Sequence, residues 1–97
     1  MALEETTYKI NGCAMKVHNT LGNGFQEVIY QRALSYELKL REIDHTREVE
    51  MNVTYKELPV GTRRVDFLIK DLISVEIKAL TSLEPVHLAQ AINYLEA

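Results

Sequence analysis

A single cysteine, Cys13, is the whole thiol complement of this 97-residue chain. That excludes an internal disulfide and any zinc or iron–sulfur site built from several cysteines. Because Cys13 lies on an apolar helical stripe, it is expected in the core, where free cysteine usually sits, and a reducing cytoplasm is the expected compartment. Nor is there an apolar run approaching the roughly 20 residues that cross a bilayer, so no membrane role is expected. The opening Met-Ala-Leu-Glu-Glu-Thr-Thr-Tyr-Lys has no basic stretch followed by an apolar one, the pattern of a secretory signal. An excess of positive charge is missing too: 11 Lys and Arg stand against 14 Asp and Glu, a formal charge of −3. This argues against a protein that simply coats nucleic acid, but not against an enzyme whose carboxylates hold a cation. The tyrosines form no row on which bases could stack. Repeats, linkers and low-complexity tracts are absent, so a single domain over residues 1–97 is expected. A chain of this size hides about 60–65% of its unfolded surface, and the 46% of hydrophobic residues suffice for a core.

What the chain does have is a stretch that reads as two antiparallel strands, Arg63 to Ala79. Val65, Phe67 and Ile69 share one face of the first strand, and Ile73, Val75 and Ile77 share one face of the second. If both apolar rows lie on the same side, a Lys70-Asp71-Leu72 loop sets Asp66 directly across from Glu76. Opposed residues have Cβ atoms roughly 4.5–5.5 Å apart, and two like charges at that distance are unfavourable unless something positive lies between them. Lys78 follows Glu76 at the strand period. The sheet thus has an apolar face and a face bearing Asp66, Glu76 and Lys78, which has the character of a metal site.

Around this pair, Ile10, Cys13, Ala14, Val17 and Leu21 predict a helix from about Glu5 to Thr20, with Gly12 marking a close approach. Leu21-Gly22-Asn23-Gly24 predicts a tight turn with positive φ. A second helix is predicted from Phe25 to Arg41, its stripe formed by Phe25, Ile29, Ala33, Tyr36 and Leu40 and widened by Leu34 and Leu38. Glu27 falls in its first turn, where an acid offsets the positive helix end by about 0.3–1 kcal/mol. Tyr30 fits packing as well as chemistry, and His18 reads as a structural hydrogen-bonding residue. Alternation over Arg47–Tyr55 predicts a half-buried strand, and residues 56–61 a turn into the strand pair. Three consecutive strands then make an antiparallel meander. Pro85 suits the first turn of a final helix carrying His87, Gln90 and Tyr94, the last two one turn apart.

Gly24-Phe-Gln-Glu27-Val-Ile-Tyr30 spells G-x-x-E-x-x-Y, with His18-Asn-Thr-Leu-Gly before it and Arg-Val-Asp and Val-Glu-Ile-Lys after it. In that order, with Gln90-x-x-x-Tyr94 downstream, the chain resembles the GxxExxY family of the PD-(D/E)XK nuclease superfamily, from about Tyr8 to Tyr94. The resemblance implies an α+β fold of α/β-sandwich type, with helices packed on a three-stranded antiparallel meander in a restriction-endonuclease-like core. It implies a nuclease that hydrolyses phosphodiester bonds in DNA or RNA with Mg²⁺ or Mn²⁺. Asp66, Glu76 and the backbone carbonyl of Ile77 would be the metal ligands, hard oxygens of the kind such ions prefer, with Glu27 as a further ligand or as holder of a bound water. Lys78 would orient or help deprotonate the attacking water. Gln90 and Tyr94 resemble the Gln-x-x-x-Tyr pair of RecB-like members that orders site and substrate strand, Arg64 would meet a phosphate, and His87 could approach the metal from the last helix.

Three departures accompany the resemblance. Val65 stands where the superfamily's name has Pro, and Lys16 stands where an acid is expected before Val-His. The further strand of the superfamily core is not found after the final helix, which predicts an incomplete domain and an open edge on the third strand. A second copy of the chain or another partner would then complete the sheet. That expectation supports an alternative function, a non-catalytic nuclease-fold module within a larger nucleic-acid-processing assembly.

Overall fold

The computed structural model of the protein describes residues 2–77 and 92–94. Two helices, α1 (Ala2–Leu21) and α2 (Glu27–Leu40), precede four strands: β1 (His45–Tyr55), β2 (Leu58–Ile69), β3 (Ile73–Val75) and β4 (Ile92–Tyr94). The strands form one sheet in the order β1-β2-β3-β4, with every neighbouring pair antiparallel. The fold is α+β, with the expected meander at its centre. Among the described residues, no helix is long and apolar enough to cross a membrane.

The core lies between the helices and one face of the sheet. Ile10, Cys13, Ala14 and Val17 of α1 meet Tyr30, Leu34 and Leu38 of α2 and Phe67, Ile69, Ile73, Val75 and Ile77 of the sheet. The α1 stripe is the one its spacing predicts, and Cys13 is fully buried. Gly12 does mark a close approach: an added Cβ would lie 3.0 Å from a guanidinium nitrogen of Arg41, whose side chain reaches across from the end of α2.

The buried face of α2 differs from the predicted stripe. Tyr30, Gln31, Leu34, Ser35 and Leu38 point inward, whereas Phe25, Tyr36 and Leu40 are exposed. The helix is rotated towards the two residues that widened the stripe, because it begins at Glu27 and its orientation is fixed at both ends. At its start, the Tyr30 hydroxyl donates to the carbonyl of Gly22 and accepts the Phe25 N–H at 3.3 Å. Gly22 and Gly24 have φ of 70° and 104°, as the turn requires. At the far end, Ile43 N–H donates to Leu38 O at 2.9 Å and Glu42 N–H to Lys39 O at 3.0 Å, the paired bonds of a Schellman cap. Glu42 takes the left-handed position (φ 57°) usually given to glycine, and Ile43 joins the core beside Leu38.

Two other expectations need correction. The turn between β1 and β2 is only Lys56-Glu57, both with positive φ, and not residues 56–61. Leu58 already pairs with Tyr55, and Pro59 is tolerated within β2 because it sits at the register shift after Val53. More consequential is the chain's end. The expected final helix does not extend through residues 92–94, which form β4 against β3. β3 offers a row of main-chain groups that need partners, and Ile92 is β-branched, a residue type suited to strands. The third-strand edge predicted to be open is therefore occupied by this chain itself. The remainder of the predicted helix, with Gln90 and His87, lies outside the described residues.

Candidate functional site

The β2–β3 register decides where the carboxylates fall. Phe67 pairs with Val75, Leu68 with Ser74 and Ile69 with Ile73. The loop is Lys70-Asp71-Leu72, closed by Leu72 N–H donating to Ile69 O at 3.1 Å. Lys70 and Asp71 both have positive φ, as the primed hairpin turn requires. Val65, Phe67, Ile69, Ile73, Val75 and Ile77 are all 0–1% exposed, so both apolar rows face the core and the register cannot slip by one residue. Continued one residue beyond Phe67 and Val75, that register brings Asp66 across from Glu76.

Regular pairing ends at Val75, and a side chain takes over from the ladder. The Asp66 carboxylate accepts the Ile77 backbone N–H at 2.8 Å through Oδ2. This bond holds the Glu76–Ile77 peptide beside Asp66 and orients the carboxylate while leaving its other oxygen available. Glu76 is exposed, and Asp66 is half-buried. The Ile77 side chain is in the core. The Ile77 main chain is thus held beside Asp66, and the carboxylates of Asp66 and Glu76 with the Ile77 carbonyl are the hard oxygens that would suit Mg²⁺ or Mn²⁺. The Ser74 hydroxyl, two residues before Glu76, is fully buried and has no hydrogen-bond partner.

The other predicted site residues are distributed differently. Glu27 is exposed in the first turn of α2. Among the described residues, no three His, Cys, Asp or Glu side chains cluster so as to hold a metal ion. Tyr94 lies in β4, opposite Ile73, and not one helical turn after Gln90. Lys78 and Gln90 lie outside the described residues. Arg64 is largely exposed and forms an ion pair with Glu48 of β1. Tyr30 is 1% exposed, with its hydroxyl committed to the turn before α2, so it packs. The ring of His18 does not make the expected hydrogen bond at Nδ1, which is buried and unpartnered. Its carbonyl does, accepting Gly22 N–H at 2.8 Å.

Two residues near the carboxylates were missed by sequence reasoning. Ser74 was passed over because a small polar residue on a strand carries no signal until its burial is known. Glu48 lies between Arg47, paired with Phe67, and Val49, paired with Val65, which places it across from Asp66. Its φ of 56° is unusual in a strand. Finding it required the β1–β2 register, which the two-residue turn and the irregularity after Val53 conceal. Elsewhere, His45 Nε2 lies 2.8 Å from Ser35 Oγ, and its Nδ1 lies 2.9 Å from Ile43 O. These bonds tie the start of β1 to α2.

No curated protein and no solved structure matches this sequence. A family model described as the PD-(D/E)XK nuclease superfamily matches residues 4–97. That match spans the helices, the meander and both carboxylates. The chain belongs to the PD-(D/E)XK nuclease superfamily.

Proposed function

We propose that the protein is a metal-dependent nuclease of the GxxExxY type that hydrolyses phosphodiester bonds, with DNA as the first substrate class to test and RNA as the second. The observation that carries this reading is the pairing of Asp66 with the Glu76–Ile77 segment at the end of the β2–β3 ladder. The Gly24–Tyr30 string supports the finer family placement, since Gly24 adopts a φ of 104° that favours glycine and Tyr30 fastens the turn. A bound Mg²⁺ or Mn²⁺ would supply an acidified water and neutralise phosphate charge.

The chain's own residues would do the rest. Asp66 and Glu76 hold the cation, with the Ile77 carbonyl as a third oxygen. Lys78, at the strand period after Glu76, orients the attacking water and helps take its proton. Arg64 exchanges its exposed partner Glu48 for a phosphate oxygen, a small loss because exposed ion pairs are worth about 0–1 kcal/mol. Glu27, Gln90 and Tyr94 are assigned to completing the pocket and ordering the substrate strand.

Asp66→Asn provides the test. Asparagine keeps an oxygen that accepts the Ile77 N–H but removes the charge, so the fold should persist. Mn²⁺-dependent cleavage of plasmid or single-stranded DNA should be abolished with an unchanged melting curve. A variant that cuts as well as the parent would refute the site. The competing reading, a non-catalytic module completed by a partner, drew on an open third-strand edge. β4 fills that edge, leaving as its support the acidic balance of −3 and a sequence that shows no obvious basic groove.

A further inference from the structure

Among the described residues, the sheet ends on β1 at one side and on β4 at the other. β1 is much the longer, with 11 residues against three, and among the described residues no strand lies along its outer side. An unpaired strand edge is a row of N–H and C=O groups open to another chain, and native proteins usually blunt it with charge or proline. From Met51 to Tyr55, β1 has neither. Val49, Met51, Val53 and Tyr55 share one face of the strand, the face on which Val49 opposes Val65. Val53 and Tyr55 are 36% and 61% exposed, and Leu58, opposite Tyr55, is 62% exposed. The arm thus carries an apolar face that its own chain leaves uncovered.

We propose that a second copy of this chain docks on β1, the two β1 strands running antiparallel about a twofold axis through Asn52. For the apolar faces to lie on one side and the outward main-chain groups to meet, the numbers of opposed residues must sum to an even number, so the axis passes through a residue. An axis at Val49 sets Glu48 against Glu50, and one at Glu50 sets that acid against itself; both are unfavourable. At Met51 no acid meets a Lys or Arg, and at Val53 the apolar Val49 meets Glu57. At Asn52, Val49 opposes Tyr55 and Met51 opposes Val53, so every residue of the apolar row has an apolar partner. Glu48 has a φ of 56°, so the regular ladder runs from Val49 to Tyr55. At its two ends Glu48 meets Lys56 and Arg47 meets Glu57. Neither Arg47 nor Glu57 has an ion-pair partner within the described residues of one chain. The exposed half of each β1 comes to lie beside the half-buried Val49 and Met51 of the other and continues its apolar face. This complementarity of the strand to itself, in charge and in apolar pairing, selects a second copy over any other partner.

Sedimentation equilibrium of the whole chain, at micromolar to millimolar concentration, should show a monomer–dimer equilibrium. Arg47→Glu should weaken the dimer about tenfold, because two exposed opposite-charge pairs per dimer become like-charge pairs. Arg47→Glu combined with Glu57→Arg should restore it. Val53→Glu sets a charge against the second copy's Met51 and should leave only monomer. Asn52→Cys should be joined into covalent dimers by a short bis-maleimide, whereas the parent, whose single cysteine is buried, should not. Positions 47, 52, 53 and 57 are exposed, so circular dichroism of each variant should match the parent; should Val53→Glu misfold, the Arg47 and Glu57 variants decide. A parent that stays monomeric throughout the range overturns the proposal. So does a dimer that Arg47→Glu leaves unchanged, a double variant no tighter than Arg47→Glu, or an Asn52→Cys dimer that the reagent does not join, since the chains then meet on another surface.

Discussion

Tyr30 shows how one residue of a motif can be structural beside neighbours assigned to chemistry. Its ring is buried, and its hydroxyl bonds the Gly22 carbonyl and the Phe25 N–H, so it fixes the path of the chain from α1 into α2. Tyr30→Phe should destabilise the protein by about 1–2 kcal/mol, since two main-chain groups lose a partner. A lower urea midpoint with unchanged metal affinity is the expected result. An unchanged midpoint with weaker metal binding would assign Tyr30 to the site. Cys13 makes a second residue-scale prediction. Burial pushes its thiol up; the Arg41 and Lys16 charges pull it down, and Glu37 adds to the rise. The folded protein therefore retains a proton that the unfolded chain gives up above about pH 8.5. Its contribution to stability is complete below that pH and is lost as pH rises through the higher folded value. Urea unfolding from pH 7 to 10 should show the parent losing stability relative to Cys13→Ala; parallel profiles would contradict the assignment.

At the scale of elements, the β1–β2 hairpin is two structures in one. Its inner half joins the core through Phe67 and Ile69, with Val49 and Met51 half-buried. Its outer half, residues 52–62, is exposed throughout, including Val53, Tyr55, Leu58 and Val60. The strand alternation was legible in the sequence, but alternation only identifies an apolar face and not whether anything covers it. β3 pairs with β2 only along Phe67–Ile69, so it supports none of the outer arm. Tyr55→Ala should consequently change the stability of the dilute monomer by no more than about 0.5 kcal/mol, against about 3–5 kcal/mol for Phe67→Ala. Chemical denaturation of both variants checks this, and a large loss at Tyr55 would mean that the arm is packed against its own chain. The rotation of α2 has a similar cause. Periodicity gave a stripe, but the Schellman cap at Glu42 and the Tyr30 bonds select which side of it faces inward.

For the molecule as a whole, the chain's own β4 covers the edge of β3 that the sequence suggested would stay open. β4 comes from a segment whose local pattern is helical, and it is extended because the main chain of β3 needs partners that no local propensity registers. The same distinction separates the two halves of the candidate site. The sequence alone indicated that Asp66 and Glu76 share a face, because six apolar residues alternating on two adjacent strands exclude every register slipped by one residue, and a Lys70-Asp71-Leu72 loop then sets the two acids across from each other. It also carried enough of the superfamily's pattern to place the chain in it. Only the tertiary structure decided that Asp66 binds the Ile77 main chain, that Arg64 is held by Glu48, and that Ser74 is sealed without a partner. Those depend on where pairing stops and on what lies over each face, and both are set by contacts between residues distant in the chain. Local alternation specifies which residues share a face; burial and satisfaction belong to the assembled fold.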